Sequence, residues 1–274
     1  MTSSAEHGTG NIKIMGILNV TPDSFSDGGH FDSEASACSQ AEALLVSGAD
    51  ILDVGGESTR PYADPVSEEE ELGRVIPAIR AIRSRHSIPI SIDTTKAAVA
   101  RKALDAGADI VNDISALRKD PAMIDLLQET SVPVIIMHMQ GTPGDMQLKP
   151  HYEDVVAEVK AFFRERLAWL EGHGVARERV TLDPGIGFGK TLTHNLSLLK
   201  HLADFKELGC PLLLGHSRKR FIEDITGLAV EERDMATAVV SALAAGSGVD
   251  VIRVHDVAAT RQALQLQHAV SEAL

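Results

Sequence analysis

Eight short apolar runs, rich in Ile, Val and Leu, recur along the chain with helix-compatible segments between them. They fall at residues 12–18, 51–54, 90–93, 110–114, 134–138, 180–183, 212–215 and 251–255. Runs this short and this apolar suit strands covered on both faces, as in a parallel sheet wrapped by helices. Helices are expected over 33–47, from 67, over 95–106, from 120, and over 152–171, 192–207, 219–226, 231–245 and 257–273. Ser67 precedes Glu68-Glu69-Glu70, with Glu70 at capping-box spacing and an acidic first turn that suits the helix dipole. Pro121 sits at a first-turn position, where its missing N–H costs nothing. Gly48-Ala49-Asp50, Gly107-Ala108-Asp109 and Gly248-Val249-Asp250 recur where a helix ends and a strand begins. They are a local echo of one βα unit rather than a tandem repeat. Eight such units in about 250 residues point to a single-domain α/β fold, a (β/α)8 TIM barrel over residues 12–274. A flexible tail, residues 1–11, precedes it. An open doubly wound sheet is the alternative arrangement, because strand closure is not visible in sequence.

In a barrel of this kind the C-terminal ends of the strands carry the chemistry. Here every one of them is polar. The first run ends in Asn19, and the second leads into Gly55-Gly56-Glu57-Ser58-Thr59-Arg60-Pro61. The third ends in Asp93, the fourth carries Asn112-Asp113, the fifth His138 and the sixth Asp183. The seventh leads into Gly215-His216-Ser217-Arg218-Lys219-Arg220, and the eighth ends in Arg253-Val254-His255. Loops are polar anyway, so no single end marks a site; eight together do. Two sets stand out. Asp93, Asn112, Asp183 and Lys219 match a flat heterocycle with donors and acceptors along its edges. Thr59, Arg60, Arg253, His255 and Asn19 suit an anion, most simply phosphate. Asp183 opens Asp183-Pro184-Gly185-Ile186-Gly187-Phe188-Gly189-Lys190, where glycines let backbone N–H groups approach a ligand. Lys190 could meet a phosphate, but the cations after the seventh and eighth runs are better placed, so it stays outside the candidate site.

The balance of charge sharpens that reading. The 274 residues carry a formal charge of −13, and only 4% are aromatic, which argues against a nucleic-acid surface or an acidic membrane. Basic residues gathered at Arg218, Lys219, Arg220 and Arg253 are therefore informative. No apolar stretch approaches the roughly 18 residues of a membrane span. The start of the chain lacks a signal-peptide core, so a cytoplasmic location is expected. Cys38 and Cys210 are far apart, which suits free thiols in a reducing compartment. Neither a Cys cluster nor an HExxH motif is present, and His138 has no second histidine four residues away, which argues against a soft-ligand metal site. A magnesium ion held by Asn19 and substrate phosphate oxygens is the natural alternative, since magnesium keeps its waters and takes few protein ligands.

Two long motifs carry a resemblance. Met15-Gly16-Ile17-Leu18-Asn19-Val20-Thr21-Pro22-Asp23-Ser24-Phe25-Ser26-Asp27-Gly28-Gly29 resembles the first signature of the dihydropteroate synthase family, and Asp53-Val54-Gly55-Gly56-Glu57-Ser58-Thr59-Arg60-Pro61 the second. Residues 183–190 and Ser217-Arg218-Lys219 resemble two more, in the family's order. The resemblance implies a pterin-binding barrel that joins 6-hydroxymethyl-7,8-dihydropterin diphosphate to 4-aminobenzoate in folate synthesis, releasing diphosphate. It implies that Asp93, Asn112, Asp183 and Lys219 hold the pterin edge, that Arg253 stacks on its face, and that Ile114, Met137, Phe188 and Gly215 line the pocket. Asn19 would bind Mg2+, with Thr59, Arg253 and His255 on the diphosphate. Thr59, Arg60, Pro61, Phe188, Ser217 and Lys219 would lie near the aminobenzoate. Loops 21–31 and 60–67 would close over the site, with Phe25 and Asp27 contributing. A homodimer and sulfonamide targeting are further implications; residue 220, where members vary, leaves inhibitor affinity open. Two other readings fit such a barrel: a pterin-dependent methyltransferase, and a non-catalytic pterin-binding regulator.

Overall fold

A strand's side chains alternate between its two faces, so each apolar run can fill the inside of a ring and the layer beneath its helices at once. The computed structural model describes residues 12–20, 30–58, 65–142 and 144–273, with backbone alone for 30–34. The tail at 1–11 and most of the loops 21–31 and 60–67 lie outside the described residues. The strands are β1 (Lys13–Asn19), β2 (Ile51–Gly55), β3 (Ile90–Asp93), β4 (Ile110–Asp113), β5 (Val134–Met137), β6 (Val180–Asp183), β7 (Leu213–Gly215) and β8 (Val251–Val254). All pair in parallel in the order β6-β5-β4-β3-β2-β1-β8-β7. A parallel bridge between Leu182 and Leu212 joins the two ends. The ring closes as a (β/α)8 barrel, and the open sheet is set aside.

Around it run α1 (His30–Val46), α2 (Glu68–Arg83), α3 (Ala97–Ala106), α4 (Ala122–Glu129), α5 (Val155–Gly172), α6 (Leu192–Lys200), α7 (Arg220–Thr226), α8 (Asp234–Ala245) and α9 (Val257–Ser271). Ser67 caps α2 as expected, accepting a hydrogen bond from the Glu70 N–H. The expected helix over 192–207 is two pieces. After Lys200 the chain tightens into a 3-10 helix, Leu202–Leu208. Its buried residues Leu202, Phe205 and Leu208 are spaced by three, the repeat of a 3-10 helix rather than an α-helix.

The large core lies between strands and helices. It includes Ile14, Leu52, Ile90, Val111, Val134, Leu182 and Ile252 from the sheet, and Val75, Ile79, Phe163 and Leu264 from the helices. A second, smaller core fills the barrel itself: Met15, Ile51, Ile135 and Leu213, with Ile110 and Val251 against them. Two residues further along the same strands, alternation returns to the lumen at Ile17, Asp53, Asn112, Met137, Gly215 and Arg253. The lumen is thus apolar at its floor and polar one layer higher, at the C-terminal mouth.

The Gly-Ala/Val-Asp echo has a physical basis. Gly48, Gly107 and Gly248 have φ of 96°, 113° and 75°, the left-handed conformation that ends a helix. The aspartate that follows then ties two neighbouring strands at the floor. Asp50 Oδ2 accepts from Ile14 N, Asp109 Oδ2 from Ile90 N and Asp250 Oδ2 from Leu212 N, each at 2.8 Å. Each aspartate N–H returns a bond to the carbonyl of the same partner residue. A basic side chain completes each clamp: Arg261 near Asp50, Arg83 on Asp109 and Lys206 on Asp250.

Candidate active site

At the mouth, strand register sets Asp93 beside Gly55 and Asn112, Met137 beside Asp183, and Gly215 beside Arg253. Arg253 is the hub. Its Nε donates to Asp53 Oδ2 at 2.6 Å and its Nη2 to Asp93 Oδ2 at 2.8 Å. Asn112 Nδ2 leans on the Asp53 carboxylate at 3.3 and 3.4 Å. Burial works against the Arg253 charge, but Asp53 and Asp93 outweigh it and raise its pKa. Asp93 moves the other way from an ordinary carboxylate. Burial pushes it up to about 7 against the pull of Arg253, and Asp53, Glu71 and Asp113 add to the push. The upward direction follows because one guanidinium is shared between two buried acids.

Across the lumen, Asp183 is also buried and raised, chiefly by desolvation, while Lys219 and the Gly185 N–H pull it back. That N–H reaches Asp183 Oδ1 at 2.8 Å. Gly215 leaves the other oxygen room: a Cβ there would stand 3.3 Å from Asp183 Oδ2. Lys219 Nζ donates to the Ile186 carbonyl and lies 4.3 Å from the centre of the Phe188 ring. Burial lowers its pKa to about 8, with Asp183 opposing. Ile114 and Met137 pack with Met139 and Met146 into one apolar cluster that Phe188 abuts. At the rim, Ser217 Oγ takes the His255 N–H at 3.2 Å and lies 2.9 Å from His255 Nδ1. Asn19 ends β1 half-buried, and its amide has no hydrogen bond among the described residues.

The mouth can therefore hold a flat ring between an apolar wall and a cation, with carboxylates at its edge. Comparison with known proteins agrees. A family model described as "Pterin binding enzyme" matches residues 15–255. The dihydropteroate synthase of Escherichia coli K12 is 48% identical, covering 95% of this chain and 92% of its own. The chain belongs to the dihydropteroate synthase family. A Xanthomonas albilineans dihydropteroate synthase with 4-aminobenzoic acid superposes with a TM-score of 0.90 at 45% identity, covering 97% of this chain and 96% of that one. The same enzyme in complex with 7,8-dihydropteroate gives 0.87 at 44%, with the same coverage.

For a dihydropteroate synthase family member the sequence-derived residues are well gathered. Asp93, Asn112, Ile114, Met137, Asp183, Phe188, Gly215, Ser217, Lys219, Arg253 and His255 stand at or beside the mouth, and Asn19 ends a mouth strand. Phe25, Asp27, Thr59, Arg60 and Pro61 lie outside the described residues. The expected basic cluster is smaller than its sequence suggests. Arg218, at φ 57°, turns outward to a two-pronged pair with Asp234 on α8. The Arg220 side chain is 81% exposed on α7. Lys219 and Arg253 are the two of the four that face the lumen. Arg253 also pairs with the carboxylates Asp53 and Asp93, so the two sequence-derived sets share it.

Asp53 is the functional residue that sequence reasoning missed. It is 0% exposed and supplies the second anchor for Arg253. A signal existed: an acid inside the strand Ile51-Leu52-Asp53-Val54-Gly55, on the face of Ile51, must be buried and needs a partner. Lys190, left outside the site, is 3% exposed and lies beneath the glycine loop.

Proposed function

We infer that the chain joins 6-hydroxymethyl-7,8-dihydropterin diphosphate to 4-aminobenzoate, giving 7,8-dihydropteroate and diphosphate. The observation that carries this is the convergence of Asp93, Asn112 and Asp183 on a lumen shared with Arg253, Lys219 and Phe188. A pterin edge offers N–H donors, and the two raised carboxylates are the acceptors the fold leaves for it. Asn112 adds an amide, Arg253 a flat cation for the ring face, and Ile114 and Met137 an apolar wall. The aminobenzoate side is assigned to Phe188, Ser217 and Lys219, and by the family resemblance to Thr59, Arg60 and Pro61, which lie outside the described residues. The diphosphate is assigned to His255 and Arg253, and by the family resemblance to Thr59, with roles for Phe25 and Asp27; these last three lie outside the described residues.

In this reading the C–O bond to diphosphate breaks early, its electron pair leaving on oxygen. Asp93 and Asp183 stabilise the positive charge that builds on the ring while they hold its N–H groups. The neutral aromatic amine then attacks carbon and sheds its proton to solvent or to the leaving diphosphate. No general base is required, because the amine lone pair is already available. Arg253 and His255 balance the charge of the leaving group. The amide of Asn19 at the end of β1, unbonded among the described residues, fits a hard cation that takes one protein oxygen and fills its shell with water and diphosphate oxygens. Mg2+ held there would neutralise the diphosphate.

Supplying both substrates and following dihydropteroate and diphosphate tests the function: one of each per turnover is expected, and folded protein that forms neither would sink it. A pterin-dependent methyltransferase would instead consume a methyl donor without releasing diphosphate, and a regulator would bind without turnover. Scrambling of isotope within bound diphosphate in the absence of amine is expected from early cleavage; cleavage that strictly needs the amine would exclude it.

A cytoplasmic location belongs to the same reading. Among the described residues no helix is long and apolar enough to cross a membrane, and both cysteines are buried outside any disulfide. A homodimer is supported by the outer face of α8 and α9, where Met235, Val239, Leu243, Leu266 and Val270 are exposed. Leu243→Lys is expected to shift the protein towards monomer in sedimentation; a monomeric parent would remove the proposal.

A further inference from the structure

The glycine loop after β6 is held at every carbonyl from Gly185 to Gly189. Ile186 O takes Lys219, Gly187 O takes Gln147, and Gly189 O takes the Tyr152 hydroxyl. Gly185 O and Phe188 O, three residues apart, both take Lys190 Nζ at 2.9 Å. The same nitrogen lies 3.3 Å from His138 O and 3.0 Å from His138 Nδ1, at the exit of β5. The nitrogen, with at most three hydrogens to give, thus faces four acceptors, which leaves it no capacity for a phosphate.

The loop needs such a fastening because it lies unusually close to the neighbouring chain. Gly185 and Gly189 have φ of 70° and 62°. A Cβ on the first would fall 1.9 Å from His138 O, and on the second 2.4 Å from Gln140 O. The loop therefore rests backbone on backbone, with no side chain between to pack. His138 is adapted to the arrangement. Burial and the Lys190 charge lower its pKa to about 2, so its ring is neutral and Nδ1 is free to accept. Its other faces are closed by Phe162 and Tyr152.

We propose that Lys190 is a positioning residue for the aminobenzoate side of the site: by tying Gly185 O and Phe188 O to the exit of β5, it fixes the Phe188 ring beside Lys219. This rests on the reading that Phe188 borders the aminobenzoate. Asp183 and Lys219 touch the tied loop through the Gly185 N–H and the Ile186 carbonyl, but Asp93, Asn112 and Arg253 sit on strands that do not depend on the tie, so the pterin edge keeps most of its hold without it. The two substrates are thereby separated in their dependence on one buried lysine that touches neither.

The test is Lys190→Met, which keeps the apolar stem and removes the ammonium. In protein whose circular dichroism matches the parent, KM for 4-aminobenzoate is expected to rise about tenfold or more, the scale of losing a charged hydrogen bond. The dissociation constant of the pterin substrate, read by calorimetry without amine, should change less than about threefold on the same scale. An aminobenzoate KM within about twofold of the parent, or an equal rise for both substrates, overturns the proposal. If Lys190→Met does not fold, Lys190→Gln, which keeps N–H donors at shorter reach, is read in the same way. Parent protein is assayed first: a parent that makes no dihydropteroate breaks the functional reading, whereas an active parent with an unchanged variant breaks only the role of Lys190.

Discussion

The two ends of the barrel use the same residue types to opposite effect. At the floor, Asp50, Asp109 and Asp250 each meet a strand N–H and a nearby basic side chain. At the mouth, Asp53, Asp93 and Asp183 are buried with two cations between them, Arg253 and Lys219. The floor carboxylates are partly exposed and fully matched. The mouth carboxylates are dry and under-matched, which raises Asp93 and Asp183. A matched charge fixes geometry, and an under-matched one is a standing demand for a ligand with donors.

The sharpest way to break this contrast is Arg253→Met. It leaves Asp53 and Asp93 buried without their guanidinium, so urea unfolding is expected to show a loss of about 3–5 kcal/mol, with turnover lost as well. Asp183→Asn comes next. It keeps the shape but removes a charged acceptor, and pterin affinity by calorimetry should fall on the order of 100-fold while diphosphate affinity moves little. The reverse order would show that Asp183 serves the anion rather than the ring.

A smaller effect follows from the pKa of Asp93. Between the ordinary carboxylate value, 3.8, and about 7 the folded chain holds a proton that the unfolded chain has released. Stability should therefore decline as pH rises across that window and level off above it. Pterin binding prefers the ionised acceptor, so affinity should climb about tenfold from pH 6 to 8, and the climb should vanish in Asp93→Asn. The smallest change is expected at the floor. Asp109→Ala removes the acceptor for the Ile90 N–H and should lower stability by about 1–2 kcal/mol, leaving the KM of both substrates unchanged. A shift in KM there would mean that the two ends are coupled.

How much of this is legible in sequence follows from what is local. Eight buried runs declare themselves by composition, and their polar ends follow from where each run stops, so Asp93, Asn112, Asp183 and Arg253 could be placed at the mouth. Closure could not, since it depends on Leu182 meeting Leu212. Asp53 was hidden because its partner lies 200 residues away on β8. Lys190 was hidden for the same reason: a lysine after glycines looks like a ligand group until His138, 52 residues earlier, comes beside it. Arg218 and Arg220 flank Lys219 in sequence, but the left-handed turn at Arg218 and the start of α7 send all three in different directions. Periodicity carries no information about such a turn.

The floor clamps also divide the chain into modules. Asp50 fastens β1 to β2, Asp109 fastens β3 to β4, and Asp250 fastens β8 to β7. On the remaining pair, Arg179 before β6 binds the Val132 carbonyl before β5. Each aspartate-to-N–H bond, and that of Arg179, closes within one βαβ stretch, over a short span of chain, so each quarter can lock its own register before the ring is complete; only Arg261 reaches Asp50 from far along the chain. A circular permutant opened between quarters keeps every fastener local. One opened inside a quarter turns a local closure into the longest in the molecule, and its folding rate should suffer accordingly.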